Sequence, residues 1–140
     1  MSFFDFWTES IAIDLGTANT LIIHNDKVVV DSPSIVALDQ KSGKIIAVGH
    51  EAKLMHGKTH ENIKTIRPLK DGVIADFNAS EQMIGQLIKS IPNLNKRFYS
   101  PSLKMVICIP SGITEVEMRA VKESAERVNG KEVYLIHEPM

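Results

Sequence analysis

The sequence predicts an α/β domain in which a meander of three strands is followed by an inserted β-rich segment and then by alternating helices and strands. Three observations predict this fold class. Short β-branched runs separated by turn residues lie between positions 11 and 48. Apolar residues at helical spacing, behind capping signals, occupy the second half. Short continuous apolar runs flank the second of these helices, which favours a parallel strand–helix–strand crossover.

The composition is that of a globular domain. Of 140 residues, 44% are hydrophobic and 24% are charged, which excludes a disordered tail, a collagen-like fibre and a low-complexity linker. Sixteen basic and seventeen acidic residues give a net charge of -1, which argues against general nucleic-acid binding. The single cysteine, Cys108, has no internal disulfide partner and indicates a reducing compartment.

The opening elements form the predicted meander. A buried-strand pattern runs from Ile11 to Leu15 and is followed by a turn of small and polar residues. Thr20 to His24 and Lys27 to Val30 predict a hairpin around Asn25-Asp26, because β-branched residues occupy both arms.

The segment 33–79 is predicted to be an inserted, β-rich subdomain. Ser34 to Leu38 and Lys44 to Val48 form a second hairpin pattern, and Glu51 to His56 predicts a short helix. The rest of the segment, through to Asp76, predicts a loop with one short strand.

Two helices and two strands are predicted after the insert. Asn78 and Glu81 have the spacing of a capping box. Behind them, one helical face carries four apolar residues: Met83, Ile84, Leu87 and Ile88. This helix is expected to end at Ser90. Leu103 to Ile109 is then an apolar run typical of a strand covered on both faces.

The second helix has the clearer signals. Thr114 and Glu117 form a capping box, and Val121, Ala125 and Val128 form the apolar stripe. Asn129-Gly130 predicts the end of the helix, and Val133 to Ile136 predicts another buried strand.

Three antiparallel strands followed by parallel crossovers make up the ribonuclease-H-like topology, which actin-like and sugar-kinase nucleotide-binding domains share. The expected division is a leader at 1–10, a main subdomain at 11–32 and 80–140, and the insert at 33–79. A complete domain of this type closes with a helix after its fifth strand. Because the sequence stops where that helix is expected, we predict that the chain is a truncated piece of a larger protein.

A candidate phosphate-binding turn follows the first strand, in the string Asp-Leu-Gly-Thr-Ala-Asn-Thr at 14–20. Gly16 permits unusual backbone geometry, and Thr17 and Ala18 are small enough for main-chain N–H groups to approach a phosphate. Asp14 is a candidate to hold Mg²⁺ through water. From the residues alone, an ordinary hairpin turn with a capping aspartate remains an open alternative.

This string resembles the first phosphate-binding motif of the actin superfamily, and in particular that of the MreB family of bacterial actin homologues. Other segments fit the family in order and spacing: Ser32-Pro33-Ser34, Gly57-Lys58-Thr59, Ile66-Arg67-Pro68, 71–77, 109–114 and Glu138-Pro139-Met140. The resemblance covers the chain from about Ile11 to Met140.

The resemblance implies that ATP and Mg²⁺ bind between two halves of a longer protein. It implies phosphate contacts for four residues of the turn: Gly16, Thr17, Ala18 and Asn19. Asp14 would face the metal, and Glu138 matches the family's catalytic glutamate, which positions and polarises the attacking water. Without the family, Glu138 is a solvated carboxylate before a proline. The family's second phosphate loop and adenosine site are not in this sequence, so the isolated chain is expected to be inactive as an ATPase.

The resemblance further implies self-association into filaments on the inner face of the cytoplasmic membrane. The expected partners are bacterial shape-determining membrane proteins and wall-synthesis enzymes. A small-molecule kinase or an ATP-dependent chaperone on the same fold remains an alternative, as does a plain interaction module. A two-metal nuclease is disfavoured, because the fourth predicted strand ends in Cys108-Ile109-Pro110 without an acid.

Two aromatic groups are candidate membrane contacts. In a helical arrangement Phe3, Phe4 and Trp7 share one face, which would form a wedge for a membrane interface. Phe98 and Tyr99 lie in a predicted loop, near which the resemblance implies a hydrophobic membrane-binding loop. A disordered leader and local packing are the respective alternatives.

Overall fold

A computed structural model of the chain describes residues 8–57, 61–91, 102–127 and 130–137. The elements, in order, are β1 Thr8–Leu15, β2 Asn19–His24, β3 Lys27–Pro33, β4 Val36–Asp39, β5 Ile45–Val48, α1 His50–Met55, β6 Ile63–Ile66, β7 Leu69–Lys70, β8 Val73–Ile74, α2 Phe77–Lys89, β9 Ser102–Ile109, α3 Glu115–Arg127 and β10 Gly130–His137.

The main sheet has five strands in the order β10-β9-β1-β2-β3. β1, β2 and β3 are antiparallel neighbours, whereas β9 and β10 run parallel to β1. This confirms the predicted meander followed by a parallel crossover. β1 begins three residues earlier than predicted, because its pairing with β9 starts at Thr8 opposite Ser102. Residues 8–10 of the predicted leader therefore belong to the sheet.

The turn between β2 and β3 is the one predicted. Asn25 and Asp26 both have positive φ, at 53° and 61°. Two consecutive left-handed residues match the right-handed twist of a hairpin, and Asn and Asp tolerate that conformation better than other residues with side chains.

A second, three-stranded sheet has the order β5-β4-β6. Helix α1 packs on it over a separate small core of Ile35, Ala37, Ala47 and Ala52. The prediction of one short strand between residues 61 and 76 is wrong, because β6, β7 and β8 all lie there. These strands have only two to four residues each, so they carry too little periodicity to be recognised without their pairing partners. The division into subdomains itself stays a prediction.

The predicted capping box at the start of α2 is wrong. The helix begins at Phe77, and its N-cap is Asp76, whose Oδ1 accepts a hydrogen bond from the backbone N–H of Ala79 at 2.9 Å. Glu81 instead accepts a hydrogen bond from Arg127 of α3 at 2.7 Å, which raises the pKa of that guanidinium. The predicted apolar face and the end at Ser90 are confirmed.

The predicted capping box of α3 is confirmed. The Thr114 N–H donates to Glu117 Oε2 at 2.9 Å, and the Glu117 N–H donates to Thr114 Oγ1 at 3.2 Å. These reciprocal bonds satisfy two backbone donors that a helix N-terminus otherwise leaves without partners. The predicted terminator at Asn129 lies outside the described residues.

The buried faces of α2 and α3 share one hydrophobic cluster with alternate residues of the main sheet, among them Ile13 and Met105. On β9 the residues between these buried positions point to the opposite face. Val106 is 36% exposed and Lys104 is also exposed, so the prediction that β9 is covered on both faces is wrong for the described residues. Both helices pack on the same side of the sheet. None of the described helices has the length and apolar character needed to cross a bilayer.

Candidate functional site

The turn between β1 and β2 is closed tightly at its base. The Gly16 N–H donates to the Asn19 carbonyl oxygen at 3.1 Å. A Cβ atom at position 16 would lie 2.3 Å from that same oxygen, closer than any side chain can be accommodated. Glycine is therefore required here by lack of space, and the backbone φ of Gly16 is not among the positive ones.

The tip of this turn is open to solvent. Thr17, Ala18 and Asn19 are exposed. Within the described part of the chain, no group accepts a hydrogen bond from the backbone N–H of Thr17 or of Ala18. Adjacent N–H groups at such a turn can bind an anion, so the turn fits the phosphates of a nucleotide.

Asp14 lies two residues before Gly16, on the face of the main sheet opposite the core. Its neighbours across the sheet are Leu21 on β2 and Cys108 on β9. Its Oδ1 atom is buried and has no hydrogen-bond partner among the described residues. Leaving a buried carboxylate oxygen without a partner is costly. Because carboxylate oxygens are the protein ligands that Mg²⁺ prefers, directly or through water, Asp14 fits a hydrated magnesium ion.

The sheet topology places three strand ends at this edge. β1, β9 and β10 are parallel, so their carboxyl ends at Leu15, Ile109 and His137 lie on the same side of the sheet. Only β9 separates β1 from β10, a spacing of roughly 10 Å. Ligands collect at such edges in open α/β sheets. Glu138 follows His137 in sequence but lies outside the described residues, so its assigned role stays a prediction.

Two buried hydroxyl groups support the turn from behind. Ser34 Oγ donates to the Gly16 carbonyl oxygen at 2.7 Å and lies 2.7 Å from Thr20 Oγ1. From the sequence, Ser34 is part of a motif that carries the resemblance, with no role of its own. The feature of the sequence that could have pointed to Ser34 is a serine on each side of Pro33, at the start of an apolar strand.

Two other motifs that carried the resemblance meet in space. A Cβ atom at Gly112, just after β9, would lie 3.2 Å from the Gly72 carbonyl oxygen and 3.3 Å from Val73 Cγ1. The turn after β9 therefore packs closely on the β7–β8 turn. The segments 71–77 and 109–114 are thus in contact, although 31 residues separate them in sequence.

The five candidate membrane residues cannot be placed. Phe3, Phe4, Trp7, Phe98 and Tyr99 lie outside the described residues. Their proposed membrane contact stays a prediction.

A five-stranded ribonuclease-H-like sheet, with a small-residue turn after its first strand, defines an actin-like domain. The model of the MreB/Mbl protein family matches residues 8–140. The chain belongs to the MreB/Mbl family.

Curated relatives and a solved structure agree with this assignment. The chain is 51% identical to the cell shape-determining protein Mbl of Bacillus subtilis, over 95% of this chain and 39% of that protein. It is 50% identical to the cell shape-determining protein MreB of Pasteurella multocida, over 96% of this chain and 39% of that protein. The crystal structure of MreB5 of Spiroplasma citri bound to AMPPNP superposes with a TM-score of 0.75 at 36% identity, over 93% of this chain and 38% of that chain. The chain thus spans about two fifths of the length of these relatives.

Proposed function

We propose that this chain is the phosphate-binding part of an ATP-binding, filament-forming bacterial actin homologue that determines cell shape. The observation that carries the proposal is the exposed turn at Thr17 and Ala18 beside the buried Oδ1 atom of Asp14, which has no hydrogen-bond partner in the described part of the chain. The relatives named as cell shape-determining proteins and the relative solved with AMPPNP support it.

In this proposal the chain's own residues bind and orient the phosphates of ATP. The turn from Gly16 to Asn19 contacts them through its exposed backbone N–H groups, and Asp14 holds Mg²⁺ through water. Mg²⁺, when bound, neutralises negative charge on the phosphates. Glu138 orients the attacking water and polarises it. This division of roles suits phosphoryl transfer, which depends on placement and charge stabilisation more than on covalent chemistry.

The remaining nucleotide contacts are assigned to the part of the relatives that this chain does not span. That part would carry the second phosphate loop and the adenosine site. The isolated 140-residue chain is therefore expected not to hydrolyse ATP. ATP hydrolysis in the natural-length protein would regulate filament turnover.

The proposed location is the inner face of the cytoplasmic membrane. The aromatic side chains of Phe3, Phe4 and Trp7 would enter the membrane interface, with Phe98 and Tyr99 as a second contact. The partners proposed there are further copies of the same protein, shape-determining membrane proteins and the enzymes of wall synthesis.

ATP-dependent sedimentation tests this function. The natural-length protein and the 140-residue chain are centrifuged with Mg-ATP, with AMPPNP and Mg²⁺, and without nucleotide. A filament-forming ATPase is supported if the natural-length protein pellets only when nucleotide is present and the 140-residue chain does not pellet. If the natural-length protein stays in the supernatant under all conditions, with lipid vesicles present, a small-molecule kinase or a chaperone becomes the better assignment.

A further inference from the structure

We infer that Ser34 is a positioning residue for the candidate phosphate-binding turn. Its side chain and its backbone each hold one carbonyl group of the turn, and this leaves the N–H groups of the tip facing outward. The inference rests on the proposed nucleotide function, because the turn is taken to be the phosphate site.

Three hydrogen bonds join Ser34 to the turn and to the strand that follows it. Its Oγ donates to the Gly16 carbonyl oxygen at 2.7 Å, and its N–H donates to the Ala18 carbonyl oxygen at 2.8 Å. Its Oγ also lies 2.7 Å from Thr20 Oγ1. Ser34 therefore contacts the first and third residues of the turn and the first buried residue of β2 after it.

The direction of these bonds follows from the number of protons. A carbonyl oxygen only accepts, so the single hydroxyl proton of Ser34 is used on Gly16. Thr20 must then donate its own proton to Ser34 Oγ. The result is a directed chain from the Thr20 hydroxyl through the Ser34 hydroxyl to the Gly16 carbonyl group. The hydrogen bonds in such a chain polarise and strengthen one another.

Burial protects these hydrogen bonds from competition by water. Ser34 and Thr20 are both 0% exposed, so water does not compete for their hydroxyl groups. Removing the Ser34 hydroxyl leaves the Thr20 hydroxyl without this acceptor, and a buried polar group without a partner is destabilising. The Gly16 carbonyl group, released from Ser34, would be free to rotate and to change the direction of the neighbouring N–H groups.

The position of Ser34 in the fold gives the contact a further consequence. Ser34 lies in the short connection between β3, which ends at Pro33, and β4, which begins at Val36. The next residue, Ile35, accepts a hydrogen bond from the Gly49 N–H at 2.9 Å, at the start of α1. Ser34 and the residue after it therefore connect the turn to the three-stranded sheet and to α1.

A serine in the same motif supplies a matched control. Ser32 is 3% exposed and lies on the other side of Pro33. Its hydroxyl packs against Gly49, and its one hydrogen bond among the described residues goes to the Pro33 carbonyl group, at 3.4 Å. It makes no hydrogen bond to the turn. Ser32→Ala therefore reports the general cost of removing a buried hydroxyl from this motif.

The experiment compares Ser34→Ala, Ser32→Ala, Thr20→Val and Thr20→Ser in the natural-length protein. Calorimetric titration with AMPPNP and Mg²⁺ measures nucleotide affinity. The hydrogen-exchange rate of the Gly16 amide measures how stable the turn is in the absence of nucleotide. Ser34→Ala is expected to weaken nucleotide binding about tenfold and to speed exchange at Gly16. Ser32→Ala and Thr20→Ser are expected to behave as the wild type. Thr20→Val removes the donor to Ser34 Oγ but leaves the Ser34 bond to Gly16 in place. A smaller loss in the same direction is therefore expected, and it tests the inference if Ser34→Ala does not fold.

The outcomes separate this inference from the proposed function. Wild-type affinity and wild-type exchange in both Ser34→Ala and Thr20→Val would overturn the inference and leave the proposed function intact. Equal losses in Ser34→Ala and Ser32→Ala would also overturn it, because the effect would then be one of general stability. If the wild type binds no nucleotide, the proposed function fails. The positioning role is then decided by exchange at Gly16, where unchanged protection in the variants counts against it.

Discussion

The Ser34 hydroxyl lies 2.7 Å from the Gly16 carbonyl oxygen, across eighteen positions of sequence. The contact joins the connection between the two sheets to the turn that follows β1. The shape of this turn therefore depends on a residue outside it. This makes the candidate phosphate site sensitive to substitutions both inside the turn and behind it.

Gly16→Ala is expected to disrupt the turn from the inside. The added methyl group would lie 2.3 Å from the Asn19 carbonyl oxygen, so the backbone must open. We expect the free energy of unfolding to fall by about 1–3 kcal/mol and the affinity for Mg-ATP to fall at least about tenfold. Urea unfolding and calorimetric titration of the natural-length protein measure the two effects.

Gly43→Ala is the control for this substitution. Gly43 has φ of 72° and open space around its Cα, so its replacement costs only backbone strain, about 1 kcal/mol. It should leave nucleotide affinity unchanged. Wild-type affinity in Gly16→Ala would contradict the assignment of the turn.

Asp14→Asn is expected to separate metal binding from stability. The substitution removes a charge whose buried oxygen has no partner among the residues that the structure describes, so the free energy of unfolding without nucleotide should not fall. The affinity for Mg-ATP should fall about tenfold, whereas the affinity for ATP without Mg²⁺ should change little. Titration with and without Mg²⁺ checks both expectations.

Asp31→Asn is the matched control, because Asp31 and Asp14 are both register partners of Leu21, from opposite sides of β2. Asp31 is exposed and lies on the edge strand β3, two strands away from β1. Asp31→Asn should have no effect on nucleotide binding. An equal loss in both variants would point to a general effect of negative charge on this face.

Thr114→Ala is expected to destabilise α3. It removes the side-chain acceptor for the Glu117 N–H, at a cost of about 1 kcal/mol in the free energy of unfolding. Thr114→Ser keeps the acceptor and should restore most of that stability. Lys122→Ala, at an exposed position of the same helix, should change stability by less than about 0.5 kcal/mol. Urea unfolding distinguishes the three; no difference between Thr114→Ala and Lys122→Ala would show that the cap does not contribute.

Glu138→Ala is expected to spare nucleotide binding and slow hydrolysis. If Glu138 orients the attacking water, its loss should reduce phosphate release from the natural-length protein by about 100-fold. Glu132→Ala removes a carboxylate from β10, where Glu132 Oε2 lies 3.9 Å from Lys104 Nζ, and should leave the rate unchanged. Unchanged phosphate release in Glu138→Ala would remove its assigned role.

Replacing Phe3, Phe4 and Trp7 together with serine is expected to reduce co-sedimentation with lipid vesicles. The first ten residues contain no lysine or arginine, so binding should depend on apolar burial and show little dependence on salt. Neutral and anionic vesicles should therefore bind the wild type similarly. Undiminished binding of the triple variant would exclude the wedge, and a Phe98→Ser/Tyr99→Ser variant in the same assay tests the second contact.

Local signals predicted most of the elements. The hairpin at Asn25-Asp26, the apolar face of α2 and the capping box at Thr114 and Glu117 depend on residues within about four positions of one another, and all three are confirmed. The string that contains Asp14 and Gly16 likewise identified the candidate turn.

Where two local signals competed or were too short, tertiary structure decided. Asp76 and Asn78 are both good N-caps, and Asp76 caps the helix because the extended backbone needed at an N-cap falls on that residue. The strands β6, β7 and β8 depend on partners that their own few residues do not specify.

The order of the main-sheet strands and of the two long helices, the glycine at the base of the turn and the carboxylate beside it follow from the sequence, because they depend on periodicity and residue type. Three features depend on tertiary packing: the hydrogen bond from Ser34 to the turn, the burial of Asp14 Oδ1 with no partner within the described ranges, and the face of the sheet that the helices cover. The physical reason is distance along the chain. Periodicity and capping act between near neighbours, whereas buried hydroxyl bonds and exposed faces depend on which distant segments meet when the chain folds.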